Sequence, residues 1–255
     1  MIEKIEINGC LLAIQKSFSK KPDSTVMVFL HEGLGSIGFW KDFPEYVGNI
    51  TGLPYLVYDR PGYGHSDELP YERKIDYHRI EALDYLAPML EKLEITKPVL
   101  IGHSDGGTIA LLYAASNPDN VTSVVTIGSH VFNDDVTRSG ISNAVQGYEK
   151  GGFKASLEKF HGEKTDSVFY SWAHTWLSDE AKNWDIRPCL KRITCSVLAI
   201  EGENDPYSAG NQATETAKYC DCQAVLIPGL EHTPHIEDPV LTGSLIVEFL
   251  KNLNL

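Results

Sequence analysis

The sequence lacks any apolar run approaching the length of a bilayer crossing. Its N-terminus opens Met1-Ile2-Glu3-Lys4, with no apolar stretch behind basic residues, so no secretory leader is expected. Basic charge is also scarce. The chain carries 22 Lys and Arg against 35 Asp and Glu, a formal net charge of −13, and no Lys/Arg cluster rivals that excess. Nucleic acid and anionic membrane are therefore excluded as main partners, since both require basic patches. Cysteine is sparse: Cys10, Cys189, Cys195, Cys220 and Cys222 are all there is. Cys220-Asp221-Cys222 has no second pair to complete a ligand set, so no metal site is expected. The odd count points to reduced thiols and a cytoplasmic location. Internal repeats and low-complexity tracts are missing as well.

What the chain does have is 255 residues with 42% hydrophobic content, enough for one sizeable domain with its own core and room for an insertion. Ile5–Ile7 and Leu11–Ile14 flank Asn8-Gly9, a two-residue turn signal, which predicts an opening hairpin. Pro22-Asp23-Ser24 leads into a buried strand over Val26–Leu30, followed by the glycine-rich His31-Glu32-Gly33-Leu34-Gly35-Ser36 and a helical pattern from Phe39 and Trp40. Leu53–Tyr58 reads as a strand closed by the loop Asp59-Arg60-Pro61-Gly62-Tyr63-Gly64-His65-Ser66. An amphipathic helix over Ile80–Leu93 precedes a strand at Val99–Ile101, and Val121–Ile127 is the next strand. The rhythm breaks from about Phe132 to Arg187, where polar helical stretches and Phe169, Tyr170, Trp172, Trp176 and Trp184 replace strands. It resumes with strands at Ser196–Ile200 and Gln223–Ile227, a helix near Asn211–Tyr219, and a closing helix from Pro239 to Leu253. Strands alternating with helices predict an α/β fold with a mostly parallel, right-handed twisted sheet and helices on both faces. The core covers 1–131 and 188–255, with a helical insertion at 132–187.

Between the Val99–Ile101 strand and the helix over Thr108–Ala115 lies Gly102-His103-Ser104-Asp105-Gly106, a G-x-S-x-G. The pattern alone arises by chance in about one chain in ten of this length. Its place on a strand-to-helix turn gives it meaning, because a serine there is held in strained backbone with its hydroxyl exposed. A serine hydroxyl needs a base within hydrogen-bond reach, itself oriented by a carboxylate. In an open parallel sheet, the loops after the strands gather on one edge. Asp205, in Gly202-Glu203-Asn204-Asp205, follows the strand ending at Ile200, and His232 follows the strand ending at Ile227. Both are expected on the edge that carries Ser104.

These features jointly resemble the α/β-hydrolase superfamily over nearly the whole chain. The resemblance rests on His31-Glu32-Gly33-Leu34-Gly35 with Trp40 downstream, the Asp59–Ser66 loop, the elbow, Gly202-x-x-Asp205, and His232-x-x-His235-x-Glu237-x-Pro239. It implies an α/β-hydrolase fold with 132–187 as a helical cap, Ser104 as nucleophile, His232 as base and Asp205 as the orienting acid. The backbone N–H groups of Asp105 and of Gly33 or its neighbour would form the oxyanion hole. Glu32 and Glu231 depart from the family pattern, which has glycine at both places. No cofactor is implied.

Other residues compete for these roles. His235 is read as a polar stabiliser of the following helix start, and His103 as a packing or hydrogen-bonding group. Asp134 or Asp135 is the alternative acid. His65, His78, His130, His161 and His174 are read as surface or structural, with His130 and His174 able to line a pocket. Leu34, His130, Trp172 and Trp176 are the expected pocket residues, since such sites are mostly apolar. Asp105 has two readings: its carboxylate favours the helix N-terminus, or it faces the pocket and recognises a substrate amine, as the resemblance of Gly-x-Ser-Asp-Gly to amino-acid-ester hydrolases implies. The expected activity is hydrolysis of a small-molecule carboxylic ester or thioester through an acyl-enzyme. The alternatives are a carbon–carbon bond hydrolase of ring-cleavage products, whose family often has tryptophan where this chain has Thr233, an amino-acid-ester hydrolase, and a non-catalytic ligand receptor. Oligomeric state is left open.

Overall fold

Asn8 and Gly9 adopt φ of 49° and 77°, the backbone of a tight hairpin turn whose twist matches its strands. They join β1 (Glu3–Ile7) to β2 (Cys10–Lys16) in the computed structural model, which describes residues 1–20 and 24–255. Pro22 and Asp23 of the expected lead into the third strand lie outside the described residues. The remaining strands are β3 (Met27–Leu30), β4 (Tyr55–Tyr58), β5 (Val99–His103), β6 (Ser123–Ile127), β7 (Ser196–Gly202) and β8 (Cys222–Ile227). They form one eight-stranded sheet in the order β1-β2-β4-β3-β5-β6-β7-β8. β1, β2 and β4 pair antiparallel in turn, and every pairing from β4 through β3 to β8 is parallel.

The apolar runs of the central strands are explained by burial on both faces. Val28, Leu30, Leu100, Val124 and Val197 pack on one side, while their neighbours Met27, Phe29, Val99, Ile101, Val125 and Leu198 pack on the other. Successive side chains of a strand point to opposite faces, so a strand covered on both sides reads as continuously hydrophobic. The second face is covered by α1 (Phe43–Thr51) and by the closing helix, through residues such as Val47, Ile246, Phe249 and Leu250.

The helix expected over Ile80–Leu93 begins earlier and is not uniform. It runs as α2 (Tyr77–Ile80), a π-helical stretch Glu81–Leu86, and α3 (Ala87–Lys92). Pro88 has no N–H to return to the preceding turn, and widening that turn is one way for a helix to accommodate it. The wide turn carries Glu81, fully buried, to within 3.5 Å of Arg60.

α4 (Asp105–Ser116) leaves the elbow almost wholly buried. Between β6 and β7 the chain forms α5 (Asp135–Glu149), α6 (Gly152–His161), α7 (Thr165–Leu177) and the short α8 (Arg187–Leu190). Ile141, Leu157, Phe169 and Trp172 of these helices share a third apolar cluster with Leu34 and Tyr63 from the loops at the sheet's edge. Tyr148 and Phe169 stack face to face at 3.7 Å. The chain closes with α9 (Gln212–Thr216), α10 (Pro234–Glu237) and α11 (Pro239–Asn252). Among the described residues, no helix is long and apolar enough to cross a membrane.

Candidate active site

Ser104 joins β5 to α4 with φ 49° and ψ −118°, a conformation that side-chain-bearing residues avoid. Its N–H is tied to Ile127 O at 2.8 Å, which fixes the turn against the end of β6. Gly106 is required for the same turn. A Cβ there would lie 1.9 Å from the Leu30 carbonyl oxygen, a backbone atom of β3 that has nowhere to go. Gly106→Ala is therefore expected to cost about 3 kcal/mol or more, at the upper end of overpacking penalties. A fall in thermal midpoint or in soluble yield measures it.

Asp205 lies in the loop after β7 and His232 in the loop after β8. The register of the parallel strands brings them together: His232 Nδ1 donates to Asp205 Oδ2 at 2.7 Å. Asp205 Oδ1 accepts from the Tyr207 N–H at 2.8 Å, so the carboxylate is held at both oxygens. Burial alone would raise the Asp205 carboxyl, but His232 beside it outweighs that and keeps it below its ordinary value. With the Nδ1 proton committed to Asp205, Nε2 is the acceptor nitrogen of the neutral ring. Ser104 and His232 both line one cavity of about 340 Å³, within the range of small-molecule sites.

The cavity brings together the residues expected of a pocket. Leu34, His130, Trp172 and Trp176 all line it. His130 Nε2 donates to Tyr207 O at 2.9 Å and Trp176 Nε1 donates to the Tyr77 hydroxyl at 3.0 Å. The Trp172 indole lies so close over Gly33 that a Cβ on that residue would stand 2.5 Å from it. The Gly33 and Asp105 N–H groups have no acceptor among the described residues. His174 is exposed and does not line the cavity.

The competing residues have other work. Asp134 accepts from Thr137 N at 2.8 Å and caps α5. His235 is buried against Trp40 and His103, at ring distances of 4.8 and 4.5 Å, and burial pushes its pKa well down. His103 bridges two loops, with Nε2 donating to His232 O at 2.9 Å and Nδ1 3.3 Å from Glu32 Oε2. Burial would raise the Glu32 carboxyl, but His103 outweighs it and holds it below its ordinary value.

Asp105 is the largest departure from sequence reasoning. Among the described residues, its carboxylate has no partner on its own helix. It accepts instead from the Tyr77 hydroxyl, lies 3.2 Å from His78 Nε2 and 3.5 Å from Arg60 Nη2, and is almost fully buried. Burial alone would raise it, yet His78 and Arg60 hold it well below the carboxylate range. A carboxylate depressed in the fold contributes stability above the ordinary value of about 3.9 and loses it as pH falls. Asp105→Asn is thus expected to lower stability at neutral pH and to flatten its decline below about pH 4. Denaturant midpoints measured across that range check both parts.

Sequence reasoning missed the cavity walls supplied by Glu32, Glu231 and Tyr207. It also placed no role on Arg60, whose only signal was its position in a Pro-Gly loop.

A family model described as alpha/beta hydrolase fold matches residues 25–173. The chain is 24% identical over 267 residues to 2-succinyl-6-hydroxy-2,4-cyclohexadiene-1-carboxylate synthase of Enterobacter sp. (strain 638), covering 92% of this chain and 95% of that protein. It is 24% identical over 261 residues to human serine hydrolase BPHL, covering 97% and 86%. A solved thermophilic esterase from Thermogutta terrifontis superposes with a TM-score of 0.75 at 20% identity, covering all of both chains. The sheet order, the strained elbow and the family match lead to one conclusion: the chain belongs to the α/β-hydrolase family.

Proposed function

We propose that the protein is a serine hydrolase that cleaves a small-molecule carboxylic ester or thioester through an acyl-enzyme on Ser104. The observation that carries this reading is the Asp205–His232 bond at 2.7 Å on the wall of the cavity that Ser104 faces. His232 Nε2 takes the Ser104 proton as Oγ attacks the acyl carbon. The tetrahedral oxyanion is met by the N–H groups of Asp105 and Gly33, and His232⁺ then protonates the departing alcohol or thiol. Water, activated by the same imidazole, attacks the acyl-enzyme and releases the acid. Asp205 holds the ring in its Nδ1–H form and stabilises the imidazolium. No step requires a cofactor. The helices of 132–187 act as the cap that shapes the acyl pocket.

The walls define which esters fit. The carboxylates of Glu32 and Glu231 line the cavity and, among the described residues, no Lys or Arg does, so a substrate bearing its own carboxylate meets like charge. This weighs against ring-cleavage products with free carboxylates, as does Thr233 after the catalytic histidine. The Asp105 oxygens already have protein partners, so a preference for amine-bearing esters would fall on Glu32 or Glu231.

A panel of p-nitrophenyl esters and acyl thioesters differing in acyl length, each with a succinyl half-ester control, tests the reading. Turnover of short neutral esters, with the succinyl ester at least about tenfold poorer in kcat/KM, is expected; a tenfold ratio corresponds to about 1.4 kcal/mol. Turnover of no ester or thioester contradicts it.

A further inference from the structure

The loop after β3 is held from outside the cavity at three successive carbonyls. Glu32 O accepts from Arg60 Nη2 and from His31 Nδ1, both at 2.8 Å. Gly33 O accepts from the Tyr63 hydroxyl at 2.9 Å. Leu34 O accepts from His161 Nε2 at 2.9 Å. A peptide unit is planar and trans, so fixing its carbonyl outward fixes the following N–H inward. The first two ties aim the N–H groups of Gly33 and Leu34, neither of which has an acceptor among the described residues. The third fixes the peptide whose Gly35 N–H returns to Glu32 O at 3.1 Å and closes the turn.

His161 differs from the other ties in where it comes from. Arg60 and Tyr63 belong to the loop after β4, next to β3 in the sheet. His161 ends α6, more than a hundred residues away in sequence. Its ring is buried and uses both nitrogens: Nδ1 accepts from the Gly64 N–H at 3.1 Å while Nε2 donates to Leu34 O. One imidazole thus joins the turn after β3, the loop after β4 and the helices between β6 and β7. Nearby, Lys164 donates to Tyr63 O at 3.2 Å, so the helical segment grips the same loop twice.

We propose that His161 is a positioning residue for the oxyanion hole, through which seating of the β6–β7 helices and closure of the turn that carries the Gly33 donor become one event. This rests on the hydrolase reading above. His161 touches no reacting atom; it acts through the turn. Its loss leaves the cavity and the Arg60 and Tyr63 ties in place but frees the 34–35 peptide unit, whose Gly35 N–H closes the turn on Glu32 O; the turn loosens beneath the Gly33 donor, which weakens stabilisation of the oxyanion more than it weakens substrate binding.

The test compares wild type, His161→Phe and His161→Gln on p-nitrophenyl butyrate, together with inhibition by a trifluoromethyl ketone and by butyrate. Phenylalanine keeps a ring and makes neither bond, whereas the glutamine amide offers an acceptor to Gly64 and a donor to Leu34. Expected for His161→Phe is a kcat loss of about 10- to 100-fold, below the roughly 10²–10³ for deleting an oxyanion donor. KM and butyrate inhibition stay within about threefold, trifluoromethyl ketone affinity falls in step with kcat/KM, and His161→Gln recovers most of the loss. A folded His161→Phe enzyme with wild-type kcat overturns the proposal. So does a kcat loss that trifluoromethyl ketone affinity does not follow and glutamine does not recover. If the phenylalanine variant does not fold, His161→Asn, too short to reach both partners, is read by the same criteria. A wild type that turns over no ester overturns the hydrolase reading and this inference with it; an active wild type with unaffected variants overturns this inference alone.

Discussion

Ser104→Ala is expected to reduce kcat/KM for a short-chain ester by roughly 10⁴–10⁶ while leaving the fold intact. Only a hydroxyl is removed, and it has no hydrogen-bond partner among the described residues whose loss would leave a group unsatisfied. The strained φ of 49° is carried by the backbone and by the glycines around it, so alanine inherits it unchanged. His232→Ala should lose about as much, because nucleophile and base act as a unit, and the double variant should be hardly worse than either single one. His235→Ala should keep most of the activity and lose stability, since that ring packs on Trp40 and His103. Steady-state kinetics with a burst-phase titration of active sites separates these outcomes. Near-wild-type activity in His232→Ala with collapse in His235→Ala would exchange the roles of the two histidines.

Arg60→Met should produce the largest loss of stability of any single change behind the site, about 3–5 kcal/mol. Arg60 is fully buried, with its guanidinium 3.5 Å from both Asp105 and Glu81 and a 2.8 Å bond to Glu32 O. Methionine fills much of the same volume, so the cost does not come from a cavity. It comes from leaving the Asp105 carboxylate buried without its cation, since the buried cation offsets a desolvation penalty that would otherwise fall on one group. Glu81 suffers less. Burial already raises its carboxyl above the ordinary value with Arg60 in place, so its charged form is the less committed of the two. Arg60→Lys should restore part of the stability, since it returns the charge without the planar fork. The change is read from the urea midpoint at constant slope. A loss under about 1 kcal/mol would mean that the network tolerates an unpaired Asp105.

The placing of Ser104, Asp205 and His232 on one edge was legible in the sequence because each lies in the loop after a strand with a mainly apolar run, Val99–Ile101, Val197–Ile200 and Ala224–Ile227. In a parallel sheet the loops after successive strands share an edge, so position along the chain converts to position in space. The Asn8-Gly9 turn signal found the opening hairpin, and the alternation of strands with helices found the parallel pairing of the later strands. What could not be read were ties that no strand end marks. Arg60 meets Asp105 and also Glu81, which opens a π-helical turn, and periodicity does not report a turn of that width. His161 read only as surface or structural: its partners, Leu34 O and Gly64 N–H, are backbone groups, and backbone groups leave no trace in a sequence. The Asp105 side chain was open to two readings because residue type alone does not say whether a carboxylate at a helix start turns to the helix, to the cavity or, as here, to a buried arginine.

The proposed hydrolase depends on an activated nucleophile at Ser104. The most direct measurement is to treat the protein with a fluorophosphonate and locate the adduct by peptide mass spectrometry, with Ser104→Ala in parallel. The account predicts one stoichiometric adduct, on the peptide containing Ser104, and none in the variant. A wild type that remains unlabelled, or equal labelling of Ser104→Ala, would contradict it.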